Sequence, residues 1–277
     1  MDYGGYPEKS NWKKKYELSI PILLLILVIG VLAWQMGWLN FIPGIGDPDV
    51  TNVLVVGEDD FLRHELEGIS GLNLNVKTME DIEKIEHPDF LEDYDLFILT
   101  EYVGDEPGDL PSSFRQHLSV NLDRGANLMM YGLAGTRDPN DPQVDGWTQY
   151  GMSKYVPVEC PGTGACTVEK EGYPGTMLSL RTQIRDHQII RDYGAEYNFD
   201  EDILNVSIVD MNTRKTGSTR PSPSTISQIK IYEEGVYDKT APGIVERNWG
   251  MDGKAIYFAY HPAQTQTILK NTIRYLE

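Results

Sequence analysis

A long apolar run near the N-terminus constrains the organisation of this chain more than any other feature. The sequence LSIPILLLILVIGVLAWQMGWLNFI, from Leu18 to Ile42, contains no charged residue. About 20 apolar residues in a helix are enough to cross the hydrocarbon core of a bilayer, which is about 30 Å thick. A buried helix of a soluble domain is the alternative, but the length of the run argues against it. We therefore predict a single transmembrane helix over residues 18–42.

The charges on either side of this run predict its orientation. Three lysines at positions 13–15 precede the run, whereas the first basic residue after it is Arg63. Because basic residues accumulate on the cytoplasmic side of membrane spans, we expect residues 1–17 to form a cytoplasmic tail and the C-terminal domain to be extracytoplasmic. A cleaved secretory signal would have a shorter apolar segment that ends in small residues. The sequence favours an uncleaved signal anchor in the cell membrane.

The length and charge of the remaining chain restrict its fold and its partners. Residues 43–50 (PGIGDPDV) predict a turn-rich linker, and residues 51–277 are long enough for one large domain. The formal net charge of the chain is -18. Such an excess of carboxylates repels nucleic acids, so we expect no nucleic-acid partner. We expect instead a lipid bilayer around the span, and a membrane or envelope protein or a glycan as the partner of the outer domain.

Strands and helices alternate through much of the outer domain. Apolar runs predict strands at residues 52–57, 72–76, 94–100, 126–132 and 254–260. Helical spacing of apolar residues predicts helices at 61–69, 79–85, 111–122 and 265–276. Because parallel neighbours need crossover helices, this alternation predicts an α/β fold with a doubly wound, mostly parallel sheet of the flavodoxin-like type. Residues 156–235 carry short β-like runs between turns, which predict a β-rich insertion or an antiparallel edge.

Two cysteines and one sequon indicate covalent modification. Cys160 and Cys166 flank the short loop PGTGA. Outside the cytoplasm a disulfide between them is the leading interpretation, since a zinc site would need more ligands and the next histidine along the chain is His187. Asn205 begins the sequence Asn-Val-Ser, which makes it a candidate for glycosylation.

Three segments resemble a known family. YDLFILTEY, LDRGANLMMYG and GKAIYFAYHPAQTQTILKNTIRYL are similar to the class I glutamine amidotransferase-like fold, especially to the domains of trehalose-utilisation-type proteins and of membrane-anchored archaeal and bacterial proteins. The resemblance covers residues 52–135 and 243–277. It implies an amidotransferase-like sheet for the outer domain, whereas the middle third of the chain departs from the pattern.

The same resemblance makes an expectation about chemistry. Active members carry a nucleophilic Cys in a Gly-x-Cys-x-Gly turn after a central strand and a His-x-Glu pair after the last strand. Here the turn reads Gly132-Leu133-Ala134-Gly135, and the pair reads His261-Pro262-Ala263. We therefore expect a catalytically degenerate domain that lacks both the nucleophile and the carboxylate that orients the histidine.

Acidic residues follow two of the predicted parallel strands. Asp59 and Asp60 come after the first, and Glu101 and Asp105 after the third. Because ligands bind at the carboxyl ends of parallel strands, these side chains are candidates for binding. Two interpretations are open: a Ca²⁺ or Mg²⁺ site built from oxygen ligands, and solvated acidic loops that carry the N-terminal charges of helices.

Two functions from different classes fit these features. The first is a non-catalytic binding or scaffolding module in an envelope or membrane complex, with Trp147 and Tyr150 in a long loop at its rim. The second is an extracytoplasmic hydrolase or sugar-modifying enzyme that uses His261 with a carboxylate such as Glu101. A pocket that holds His261 within hydrogen-bonding reach of a carboxylate would favour the enzyme, whereas a filled pocket beside an exposed apolar patch would favour the module.

Overall fold

The computed structural model describes residues 50–103, 106, 108–138, 141–145, 147, 152–160, 167–170, 177–199, 205–212, 222–233, 236–249 and 253–277. Within this part of the chain, Thr51–Glu277 forms one compact unit. The predicted tail and transmembrane helix, and the linker up to residue 49, lie outside the described residues. None of the helices in the described ranges is both long and apolar enough to cross a membrane.

Fifteen strands and four α-helices make up the described fold. The strands are β1 (Thr51–Val56), β2 (Leu72–Lys77), β3 (Leu96–Leu99), β4 (Asn127–Tyr131), β5 (Arg137–Asp138), β6 (Asp141–Asp145), β7 (Val158–Glu159), β8 (Thr167–Lys170), β9 (Met177–Thr182), β10 (Glu196–Asn198), β11 (Asn205–Ile208), β12 (Asp210–Met211), β13 (Ser224–Glu233), β14 (Val236–Asn248) and β15 (Lys254–Phe258). The helices are α1 (Asp60–Glu67), α2 (Met79–Glu83), α3 (Ser112–Asp123) and α4 (Gln266–Leu276), with 3-10 turns at Pro88–Leu91, Met152–Lys154 and Pro262–Thr265.

A nine-stranded sheet forms the centre of the unit, in the order β10-β9-β13-β14-β15-β4-β3-β1-β2. The five strands β15, β4, β3, β1 and β2 are parallel. The strands β14, β13, β9 and β10 continue the sheet with antiparallel pairing. The parallel part confirms the predicted α/β class. Of the two interpretations of residues 156–235, the antiparallel edge is the one that β9, β10 and β13 adopt.

The helices lie on both faces of the parallel part. The order β2-β1-β3-β4 means that the chain crosses in one direction after β1 and in the opposite direction after β2, so right-handed crossovers place the connecting helices on opposite faces. In agreement with this, α1 and α4 both pack on the 3-10 turn Pro262–Thr265, while α3 packs on α2 and on the turn Pro88–Leu91. The parallel part is therefore doubly wound.

Burial explains why the parallel strands read as continuous apolar runs in the sequence. All four residues of β3 are at most 1% exposed, because helices cover the strand from both faces. Helix α1 buries Leu62 and Leu66, and α4 buries the longer apolar stripe Ile268, Leu269, Ile273 and Leu276. This packing fixes the carboxyl ends of β1, β3, β4 and β15, which carry the candidate site.

Candidate functional site

A cavity of about 600 Å³ lies where the parallel strands end. Side chains from several different segments line it, among them Asp59, Glu101, Tyr131, Ser207, Tyr260 and His261. Its volume is in the range of small-molecule sites, and the carboxyl edge of a parallel sheet is where such folds bind ligands.

Asp59 is the most heavily hydrogen-bonded carboxylate of the cavity. It is the N-cap of α1, and its Oδ1 accepts a hydrogen bond of 2.9 Å from the backbone N–H of Leu62. Its Oδ2 accepts from the hydroxyl of Tyr131 and lies 2.7 Å from Nε2 of His261. Because a carboxylate only accepts, Nε2 carries the proton in this contact. Asp59 therefore fixes the position and the tautomer of His261.

These contacts decide the charge of Asp59. Burial acts to raise the pKa of its carboxyl, but the hydrogen bond and the charge of His261, with the Leu62 amide and the Tyr131 hydroxyl, hold the pKa below its ordinary value. Asp59 is thus ionised at neutral pH. It orients His261 in the way that a carboxylate orients the imidazole of a catalytic triad.

Two aromatic rings hold the imidazole in place. Phe61 stacks on His261 with the ring centroids 5.4 Å apart, and Tyr131 contacts its edge at 5.0 Å. The other ring nitrogen, Nδ1, is buried and has no hydrogen-bond partner among the described residues. His261 is therefore a tightly held group with one nitrogen bound to Asp59 and one unsatisfied.

Glu101 is the second carboxyl of the cavity and has the opposite electrostatic character. It follows β3 and is only 7% exposed. Burial raises the pKa of Glu101 above its ordinary value, although the backbone N–H of Leu133 and the charge of His261 oppose this shift. One cavity thus contains a carboxyl that readily ionises, Asp59, and one that retains its proton to higher pH.

Tyr131 connects the two carboxyl-bearing segments. Burial, followed by the charge of Asp59 and the hydrogen bond to it, raises the pKa of the Tyr131 hydroxyl, which therefore stays protonated and donates to Asp59. The same hydroxyl accepts from the backbone N–H of Glu101. A hydrogen-bonded chain runs from the Glu101 backbone through Tyr131 to Asp59 and His261.

The structure brings four of the predicted site residues together. Asp59, Asp60, Glu101 and His261 all line the cavity. Asp105 and Tyr150, which were also predicted to bind, lie outside the described residues.

Trp147 does not lie at a binding rim as expected. It is 2% exposed, donates from Nε1 to the carbonyl oxygen of Ala134, and packs edge-on against Tyr257 with the centroids 5.9 Å apart. The indole supports the turn after β4 from inside and buries its large apolar surface there.

The expectation that no carboxylate orients His261 is also wrong. The resemblance places that carboxylate two residues after the histidine, where this chain has Ala263. Here Asp59 supplies it from the end of β1. Sequence reasoning missed the roles of Asp59, Phe61 and Tyr131 at His261. The available signal was that Asp59 and His261 both follow strands at the same edge of a parallel sheet.

The turn after β4 contributes Gly132 to the lining of the cavity. Gly132 stands directly after the strand, and no cysteine lines the cavity in the described part of the chain. Ser207 lines the cavity but is 2% exposed, and its hydroxyl is hydrogen-bonded to Tyr257.

No group of three or more His, Cys, Asp and Glu residues is arranged to hold a metal ion within the described ranges. Asp59, one of the acids of the candidate Ca²⁺ or Mg²⁺ site, already accepts three hydrogen bonds. Its oxygens are directed to protein groups.

The predicted modifications stay predictions. Cys160 packs partly buried against the core, and Cys166 lies outside the described residues. Asn205 begins β11, where it pairs with Lys170 of β8.

Comparisons with known proteins support the fold. The sequence matches no protein-family model and no curated protein. A cytoplasmic protein from Salmonella typhimurium LT2 superposes with a TM-score of 0.57 at 12% identity, over 82% of this chain and 100% of that chain. A ThuA-like protein from Bacteroides uniformis gives a TM-score of 0.50 at 11% identity, over 83% and 91%. A β-galactosidase from Bacillus circulans gives 0.54 at 10% identity, over 82% of this chain and 31% of that chain. At such identities the likeness concerns the fold alone, and the described domain shares its fold with these proteins, the ThuA-like protein among them.

Proposed function

We propose that this domain is an extracytoplasmic enzyme, anchored in the membrane by residues 18–42, that acts on a small polar ligand by proton transfer. The observation that carries the proposal is the pair of carboxyls in one cavity whose pKa values are shifted in opposite directions, with that of Asp59 lowered and that of Glu101 raised. Pairs of titratable groups with divergent pKa values are typical of acid and base roles in enzymes.

The geometry suggests a division of roles. Of the two carboxyls, Glu101 keeps its proton to the higher pH, which makes it the candidate general acid. His261 is the candidate base, because Asp59 accepts from its Nε2–H, so that Nδ1 is the ring nitrogen left to exchange a proton with a ligand. Since Nδ1 is buried, the ring or the groups around it have to move before a ligand reaches that nitrogen.

The lining of the cavity favours a neutral, polyhydroxylated ligand such as a sugar. Among the described lining residues, the acids Glu58, Asp59, Asp60 and Glu101 outnumber the imidazole of His261, which disfavours anions. Phe61 and Tyr102 line the same cavity, and both are about half exposed, at 51% and 50%. Flat aromatic faces beside hydrogen-bonding carboxyls suit a ring that has one apolar face and several hydroxyls. A hydrolase or a sugar-modifying enzyme is therefore the class that we propose.

A non-catalytic binding module in an envelope or membrane protein complex is the second candidate. It is favoured by the state of His261, since Asp59 occupies one ring nitrogen and the protein buries the other. A ligand would then be bound without being changed.

A turnover and binding screen on the full-length protein in detergent separates the two. The probes are methyl glycosides for hydrolysis, whose poor leaving group needs a general acid, and a set of free mono- and disaccharides, followed by NMR for modification and by thermal shift for binding. The enzyme proposal expects turnover of at least one probe and a loss of roughly 10²–10⁴-fold in Glu101→Gln, with binding retained. Binding without turnover would support the module, and the absence of both would overturn the proposal of a sugar ligand.

A further inference from the structure

Two glycines flank the residues that follow β3. Gly57 follows β1 and Gly132 follows β4, and these are the strands on either side of β3 in the sheet. Both glycines have positive φ angles, +105° and +59°. The residues after β3, Thr100 and Glu101, lie against them.

The space beside each glycine is occupied by a side chain of this segment. A Cβ atom on Gly57 would lie 2.0 Å from Oγ1 of Thr100. A Cβ atom on Gly132 would lie 2.8 Å from both Cδ and Oε2 of Glu101, and 3.2 Å from Oε1. Distances under 3.0 Å are essentially never seen for a real Cβ. The Glu101 carboxyl therefore fills the volume that any side chain at position 132 would need.

Hydrogen bonds hold the backbone of the turn after β4, so that it cannot easily move away to make room for a Cβ. The N–H of Gly132 donates to the carbonyl oxygen of Phe258 at 3.0 Å, and its own carbonyl oxygen accepts from the buried Tyr257 hydroxyl at 3.1 Å. On the other side, the N–H of Leu133 donates to the Glu101 carboxyl. A Cβ at position 132 would consequently displace the carboxyl rather than the backbone.

We propose that Gly132 is a positioning residue, whose missing side chain forms the seat that holds the Glu101 carboxyl in the cavity. This inference deepens the proposed function, because it identifies what places the candidate acid at the ligand. It also explains the composition of the turn. A side chain at position 132 and the carboxyl of Glu101 would occupy the same volume. In this chain the carboxyl occupies it, and position 132 is a glycine.

A double-mutant cycle on the stability of the full chain tests the seat without any assay of activity. The variants are Gly132→Ala, Glu101→Ala and the double variant, compared by thermal unfolding. Gly71→Ala is the matched control, because Gly71 has a φ of +90° but no atom within 4 Å of a built Cβ. It measures the backbone cost alone, which we expect to lower the unfolding midpoint by roughly 2–8 °C.

With Glu101 present, we expect Gly132→Ala to lower the midpoint by roughly 3–10 °C more than Gly71→Ala does. In the Glu101→Ala background this excess should vanish, since the carboxyl is no longer there to be displaced. An excess of the same size in both backgrounds would overturn the proposal.

A titration distinguishes positioning from general loss of packing. In Gly132→Ala, the pKa of Glu101 measured by carboxyl ¹³C NMR should fall towards its ordinary value, because the displaced carboxyl becomes hydrated; an unchanged pKa would contradict the seat. Neither measurement depends on turnover. An absence of turnover in the screen would therefore contradict the proposed function without contradicting the role of Gly132.

Discussion

Nε2 of His261 lies 2.7 Å from Oδ2 of Asp59, although 202 positions separate the two residues in the chain. The contact joins the segments that follow β1 and β15, the first and the last parallel strands in chain order, at the carboxyl edge of the sheet. It takes the place of the His-x-Glu pair of active family members, whose Glu position is Ala263 in this chain. The orienting carboxylate is thus present, but it comes from the N-terminal part of the domain's sequence, whereas His261 lies near the C-terminus.

Asp59→Asn tests the energetic weight of this contact. Asparagine still caps α1, so that the substitution removes the charge and leaves the cap. We expect the free energy of unfolding to fall by about 1–3 kcal/mol at pH 7, because His261 and Tyr131 lose a charged acceptor. Chemical denaturation measures it. Asp60→Asn, an exposed acid of the same turn, is the control, and equal losses in both variants would contradict the role of Asp59.

The variant Asp59→Asn also tests how the free energy of unfolding depends on pH. The pKa of Asp59 is lowered from an ordinary 3.8 in the folded protein, so the unfolded chain binds more protons between the two values. The stability due to ionised Asp59 is therefore complete above pH 3.8 and is lost as the pH falls through the folded pKa. The gap in unfolding free energy between the wild type and Asp59→Asn should close in this window. A constant gap from pH 7 to pH 3 would contradict it.

Glu101 predicts the opposite trend. Its pKa is raised above an ordinary 4.5, so that the folded protein holds the proton more tightly than the unfolded chain does. Stability is therefore lost as the pH rises from 4.5 through the folded pKa. Relative to the wild type, Glu101→Gln should become more stable over this interval, as measured by urea unfolding across a pH series. A difference that does not change with pH would show that burial leaves the pKa of Glu101 unaltered.

The parallel part of the sheet was predictable because each of its strands and helices has an apolar pattern that a short stretch of sequence reveals. A strand such as β3, covered on both faces, has to be apolar throughout, and the helices between such strands show their own spacing of apolar residues. The shared edge of Asp59 and His261 also follows from this topology. Their hydrogen bond does not, because it depends on angles and rotamers set by tertiary packing.

The middle of the chain was harder to predict for the same physical reason. Its strands, such as β9 and β13, pair over long separations along the chain, so no short window of sequence identifies their partners. Trp147 shows the related difficulty for single residues. A large aromatic in a polar, glycine-rich stretch reads as a surface contact, but here the turn after β4 folds over it.

Tyr131→Phe tests whether the hydroxyl supports the ionised state of Asp59. The ring and its contact with His261 are kept, and only the hydrogen bond to Oδ2 is lost. Because that bond helps to lower the pKa of Asp59, we expect the pKa of Asp59 to rise in the variant, as followed by carboxyl ¹³C NMR. Tyr102→Phe, a hydroxyl on the same cavity, should leave the pKa of Asp59 unchanged. If both variants behave alike, the effect comes from a general change in the cavity.

Phe61 offers the sharpest test of the sugar-like ligand. Its ring is 51% exposed, lines the cavity and stacks on His261. If a ligand ring packs on its open face, Phe61→Ala should weaken the binding of the best saccharide from the screen by roughly 5–10-fold, as measured by calorimetry. Phe90→Ala removes a ring that is 67% exposed and does not line the cavity, which makes it the matched control. Unchanged affinity in Phe61→Ala would mean that the ligand does not pack on this ring and is held by the other groups of the cavity.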